Sequence, residues 1–124
     1  HLLWLQELPL YIEDAEFIYT HAGIDPYVPM TEQEHEVIWM QELEFYSFPK
    51  ETVLNATGGK PIIHGHTACE YALFDGARLN GDLGSETYPI VEERGLGLFN
   101  LTDWTYWTYK SHTQKIEKRK ILKL

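Results

Sequence analysis

Lys60-Pro-Ile-Ile-His-Gly-His-Thr67 is the stretch on which the fold turns. Its short apolar run follows Gly58-Gly59 and closes on histidine and glycine, the composition of a buried strand giving way to a loop. Earlier in the chain, residues 15–20 form a run rich in aromatic and β-branched side chains that ends at His21-Ala-Gly23. Each of these strands thus delivers a histidine to its end, which is where α/β sheets place their ligands.

Working outward, helical spacing alternates with strand composition. Leu2 to Leu8 has apolar residues near helical spacing and stops before Pro9. Thr31 and Glu34 have the spacing of a capping box, and Val37, Met40, Leu43 and Tyr46 predict a helix running to about residue 46. Lys50 to Asn55 predicts a shorter helix ending at Gly58-Gly59. The remainder is strand: Tyr71 to Phe74 and Ala77 to Asn80 flank a two-residue turn at Asp75-Gly76, and Leu96 to Leu101 and Trp104 to Tyr109 flank another at Thr102-Asp103. The expected fold class is α/β, a mixed sheet layered with helices, in one domain over residues 1–124.

Of 124 residues, 44% are hydrophobic and 14% aromatic, enough for one core. The longest apolar runs fall short of the roughly 20 residues that span a bilayer, residues 1–12 lack a signal-peptide pattern, and one cysteine, Cys69, excludes an internal disulfide. A cytoplasmic location and no membrane partner are therefore expected. Residues 1–109 carry 4 basic and 18 acidic side chains, whereas residues 110–124 carry 6 basic and 1 acidic. An acidic body does not suit a nucleic-acid backbone, which needs clustered cations to displace counterions. The basic tail, 110–124, is expected as an amphipathic helix or a frayed end.

His21 and His66 are the candidate metal ligands. An imidazole fixed at a strand end suits Zn²⁺, Mn²⁺ or Fe, and neighbouring glycines admit close backbone approach. Spacing alone leaves a structural role equally open, and two histidines fall short of the three or more ligands of a catalytic site. Asp25, Glu70 and Asp82 lie near in sequence and are expected in turn or surface roles. His64 is expected to point away from His66 into the core, Cys69 to be a buried inert thiol, and the Trp104–Tyr109 stripe to pack in a hairpin.

Five segments occur in one order: Trp4-Leu-Gln-Glu-Leu-Pro-Leu-Tyr11, Phe17-Ile-Tyr-Thr-His-Ala-Gly-Ile-Asp-Pro26, Ile38-Trp-Met-Gln-Glu42, Lys60 to Thr67, and Leu79-Asn-Gly-Asp-Leu-Gly84. Together they resemble the C-terminal half of calcineurin-like metallophosphoesterases of the phosphoprotein phosphatase type, which include bacterial and phage serine/threonine protein phosphatases and symmetrical diadenosine tetraphosphatases. The resemblance implies part of a four-layer α-β-β-α sandwich. It also implies two divalent metal ions, Mn²⁺ first with Fe or Zn as alternatives, that activate a water to hydrolyse a phosphoprotein or a small phosphoester. On it, His21 and His66 are ligands of one metal, and Gln41 stands where a substrate-binding arginine belongs. Gln brings no charge and no bidentate fork to a phosphate. The D-x-H, G-D-x-x-D-R-G and G-N-H-E segments that supply the other ligands are absent, so the chain is expected to be a fragment, inactive alone. A dinucleoside polyphosphate hydrolase with the same metals is one alternative, and a phosphatase-like binding module without catalysis is the alternative from another class.

Overall fold

A computed structural model describes every residue, His1 to Leu124. The main sheet has six strands in the order β1 (Tyr11–Glu13), β2 (Ile18–Thr20), β3 (Ile62–His64), β5 (Arg78–Asn80), β4 (Leu73–Phe74) and β9 (Leu122–Lys123). Its centre is parallel, β2 beside β3 beside β5, and its two flanks pair antiparallel as β1 with β2 and β4 with β5. A second, antiparallel sheet contains β6 (Gly95–Asn100), β7 (Thr105–Lys110) and β8 (Lys115–Lys120).

The register shows how period-two alternation sorts the core. Ile18, Ile62 and Arg78 stand side by side on one face, and Tyr19, Ile63 and Leu79 on the other. The first face takes the helices: Phe45 of α2 (Glu42–Ser47) and Val53 of α3 (Lys50–Ala56), both fully buried, pack with Ile18, Ile62, Val37 and Met40. Side chains of this kind each contribute roughly 1.5–3 kcal/mol on burial. The second face takes the small sheet, where Leu79 and Leu83 meet Tyr106 of β7 and Ile121. The layers are thus helices, mixed sheet and antiparallel sheet. The outer face of the antiparallel sheet, with Leu96, Leu98, Trp107, Tyr109 and Ile116, is exposed.

Four elements depart from the sequence expectation. The predicted 31–46 helix is broken into 3₁₀ turns at Met30–Glu32 and His35–Trp39 and the α-helix Glu42–Ser47, with Met40 and Gln41 extended between them. Gln33 explains part of the break: its side chain bonds the backbone of Asp25 and Val28, so it ties the segment back to the preceding loop. Thr31 lies inside a turn capped by Pro29, and no capping box forms. The basic tail is neither helix nor frayed. Residues 115–120 complete the small sheet and 122–123 cross to the edge of the main one, with the Leu122 amide donating to Ala72. Strand β1 was not legible, since its hairpin turn depends on the Asp14 carboxylate accepting from the Glu16 and Phe17 amides. Finally, the first hairpin keeps a two-residue turn but shifts it by one to Gly76-Ala77, with the Asp75 amide donating to the Arg78 carbonyl and the Asp75 carboxylate accepting from the Ala77 and Arg78 amides.

The first helix, α1 (Leu2–Gln6), forms before Pro9 as expected, but none of its residues is buried. The α3 terminus also matches: Gly58 and Gly59 take φ of 67° and 89°, and the Gly59 amide reaches back to Leu54 at 2.7 Å. No helix is long and apolar enough to cross a membrane.

Candidate functional site

The parallel pairing of β2 with β3 brings the two histidine loops to the same sheet end. There the Gly65 amide donates to the His21 carbonyl at 2.8 Å, stitching one loop to the other. His21 Nε2 then lies 3.1 Å from His66 Nδ1, with the rings tilted by 59°. His66 reaches this position through φ of 74°, a left-handed conformation uncommon outside glycine. Strained backbone of this kind concentrates at functional sites. Gly65 is tightly seated, because a Cβ there would fall 3.2 Å from the Asp82 Cβ.

The pair fits a metal in one respect. Two nitrogens bound to one ion at about 2.1 Å lie roughly 3.0 Å apart at a right angle and roughly 3.4 Å at the tetrahedral angle. The observed separation falls within that range, and it is equally the length of an imidazole–imidazole hydrogen bond. The pair has no third ligand: nowhere do three or more His, Cys, Asp or Glu side chains gather to hold a metal ion. Asp25 caps its own turn by accepting from the Tyr27 amide, Asp82 accepts from Gly84, and Glu70 meets Tyr88, the turn and surface roles expected of them.

His64 points away from His66, but not for the reason that strand alternation would give, since residues two apart share a face. The strand ends at His64 and the left-handed His66 turns the chain. His64 is buried on the helical side, its Nε2 2.9 Å from the Tyr46 hydroxyl and its ring edge-on to Phe45. Burial lowers its pKa to about 4, so it is neutral. The Cys69 thiol is pushed up to about 12, chiefly by burial, and donates to the Asp82 carbonyl, as an inert thiol should.

Gln41 is the residue before α2 and its side chain makes no capping bond. With Glu42, Leu43, Tyr46 and Thr67 it surrounds a hollow of about 530 Å³, adjoining His66 through Thr67. No Lys or Arg lines this hollow, and burial raises the pKa of Glu42. Trp39 stands edge-on to the His66 ring at 6.2 Å. A larger hollow, about 590 Å³ at the β6–β7 turn between Leu98, Trp107 and Lys118, has no histidine in its lining. Reading the sequence missed Tyr46, Trp39 and Asn80 as neighbours of the site. Compared with protein-family models, curated proteins and solved structures, the chain matches none.

Proposed function

We propose that this chain is the C-terminal, histidine-bearing part of a metal-dependent phosphoester hydrolase, similar to the serine/threonine protein phosphatases. The observation that carries the proposal is the convergence of His21 Nε2 and His66 Nδ1 to 3.1 Å from two adjacent parallel strands, with His66 in a left-handed conformation. Divalent ions, Mn²⁺ first and Fe or Zn as alternatives, would activate water and neutralise charge on a phosphoryl group. The residues here hold and orient: His21 and His66 as two ligands of one ion, Gln41 as a neutral hydrogen-bond donor toward the phosphate, and neutral His64 supporting the loop from beneath. The remaining ligands, and a helical layer over the exposed face of the small sheet that would complete a four-layer sandwich, come from polypeptide carrying the D-x-H, G-D-x-x-D-R-G and G-N-H-E segments. A cytoplasmic setting and phosphorylated protein or small phosphoester substrates go with this reading.

Calorimetric titration of the chain with Mn²⁺ or Zn²⁺ tests it. Weak one-to-one binding is expected, lost in His21→Ala and in His66→Ala, together with negligible turnover of p-nitrophenyl phosphate by these 124 residues alone. Binding that survives both substitutions would remove the ligand assignment, and turnover by the isolated chain with Mn²⁺ would remove the fragment reading. A non-catalytic phosphatase-like module is the second reading, favoured by the uncharged Gln41 in a hollow without Lys or Arg. Absence of phosphoester turnover even once the carboxylate segments are joined would support it.

A further inference from the structure

Asn80 closes β5 with only 4% of its surface exposed, directly beside His64 in the parallel register. Its side chain has two backbone partners and also neighbours the Glu42 carboxylate, beside which an aspartate at position 80 would set a second negative charge. Nδ2 donates to the Thr67 carbonyl at 2.7 Å, and Oδ1 accepts from the Asp82 amide at 2.9 Å. Thr67 immediately follows His66, and the residue before His66, Gly65, is tied by its amide to the His21 carbonyl at 2.8 Å. The left-handed His66 is therefore clamped on both sides, by His21 in front and by Asn80 behind. A residue in that conformation persists only where its surroundings over-determine it, because the strain is of order 1–3 kcal/mol.

We propose that Asn80 is the positioning residue that sets the His66 ring against His21, through its bond to the Thr67 carbonyl, and so presets the ligand pair. The inference rests on reading His21 and His66 as ligands, yet the clamp itself is visible without a metal. Two substitutions separate its parts. Asn80→Asp keeps an acceptor for the Asp82 amide and has no donor for Thr67, whereas Asn80→Ala removes both. Val53→Ala, in the helical core and outside the hydrogen bonds of the clamp, is the control for general loss of stability.

The experiment measures, in the same four proteins, Zn²⁺ affinity by calorimetry and ring–ring nuclear Overhauser contacts between His21 and His66 without metal. In both Asn80 variants the Zn²⁺ affinity is expected to fall about tenfold or more, the usual scale for residues that orient metal ligands, and the ring contacts to disappear. Val53→Ala should change neither. Folded Asn80→Asp with native affinity and intact ring contacts would overturn the proposal, as would failure of both Asn80 variants to fold, which would make Asn80 a residue of the core alone. If the native chain binds no Zn²⁺ but Asn80→Asp still loses the ring contacts, the positioning role stands and the metal reading fails.

Discussion

His66 and His64 differ by two positions and end in opposite circumstances, one strained at the surface beside His21, the other buried and neutral. For His64 the consequence is a pH dependence of known sign. Its pKa is about 4 in the fold, chiefly from desolvation, against about 6.5 in an unfolded chain. Between those values the unfolded state binds more protons. The contribution is therefore complete above about pH 6.5 and is lost as the pH falls toward 4, at about 1.36 kcal/mol per unit and about 3 kcal/mol in all. Urea unfolding at pH 7 and pH 4.5 should show the native chain losing more stability than His64→Leu; equal losses would assign the acid sensitivity to other groups. The placement of these residues at strand ends was legible in the sequence, because glycine and histidine closing two apolar runs are local features. Their 3.1 Å approach was not, since it depends on a parallel pairing between strands some forty residues apart.

At the scale of elements, one buried cation joins the helices to the sheet. Arg78 of β5 donates to the Phe45 and Phe48 carbonyls around the end of α2, pairs with Asp75 at 2.8 Å, and lies 4.6 Å from the Tyr46 ring centre. Side-chain exposure of the pair is 4% and 8%, so removing the carboxylate leaves a charge stranded in the core. Asp75→Ala is expected to cost about 3–5 kcal/mol in chemical denaturation, the range for breaking a buried pair. A loss under 1 kcal/mol would mean that water reaches Arg78. The hairpin strands were legible because apolar and aromatic runs meet Asp75-Gly76 and Thr102-Asp103. The 31–46 helix was misread because side-chain bonds from Gln33 outweigh its helical spacing. The tail was misread because both faces of β8 carry charge, which hides its alternation. Its partners are tertiary: Thr108 opposite Glu117, Tyr106 opposite Arg119, and Arg119 stacked 4.8 Å from the Tyr71 ring centre.

Across the whole molecule, the two faces of the small sheet have unequal energetic weight. Tyr106 on the inner face is fully buried, whereas Leu98 on the outer face is 73% exposed. Leu98→Lys should change stability by no more than about 0.5 kcal/mol, as surface substitutions do. Leu79→Ala, between the layers, should cost about 2–5 kcal/mol. Thermal unfolding of both variants checks the layer order; a destabilising Leu98→Lys would show that the outer face is covered. The central claim concerns the histidine pair, and Mn²⁺ is a direct probe of it because its unpaired electrons broaden nearby resonances. Substoichiometric Mn²⁺ should erase the ring signals of His21 and His66 first and leave those of His35 and His112 sharp. Uniform broadening across all six histidines, or sharp His21 and His66 signals at excess Mn²⁺, would contradict the account.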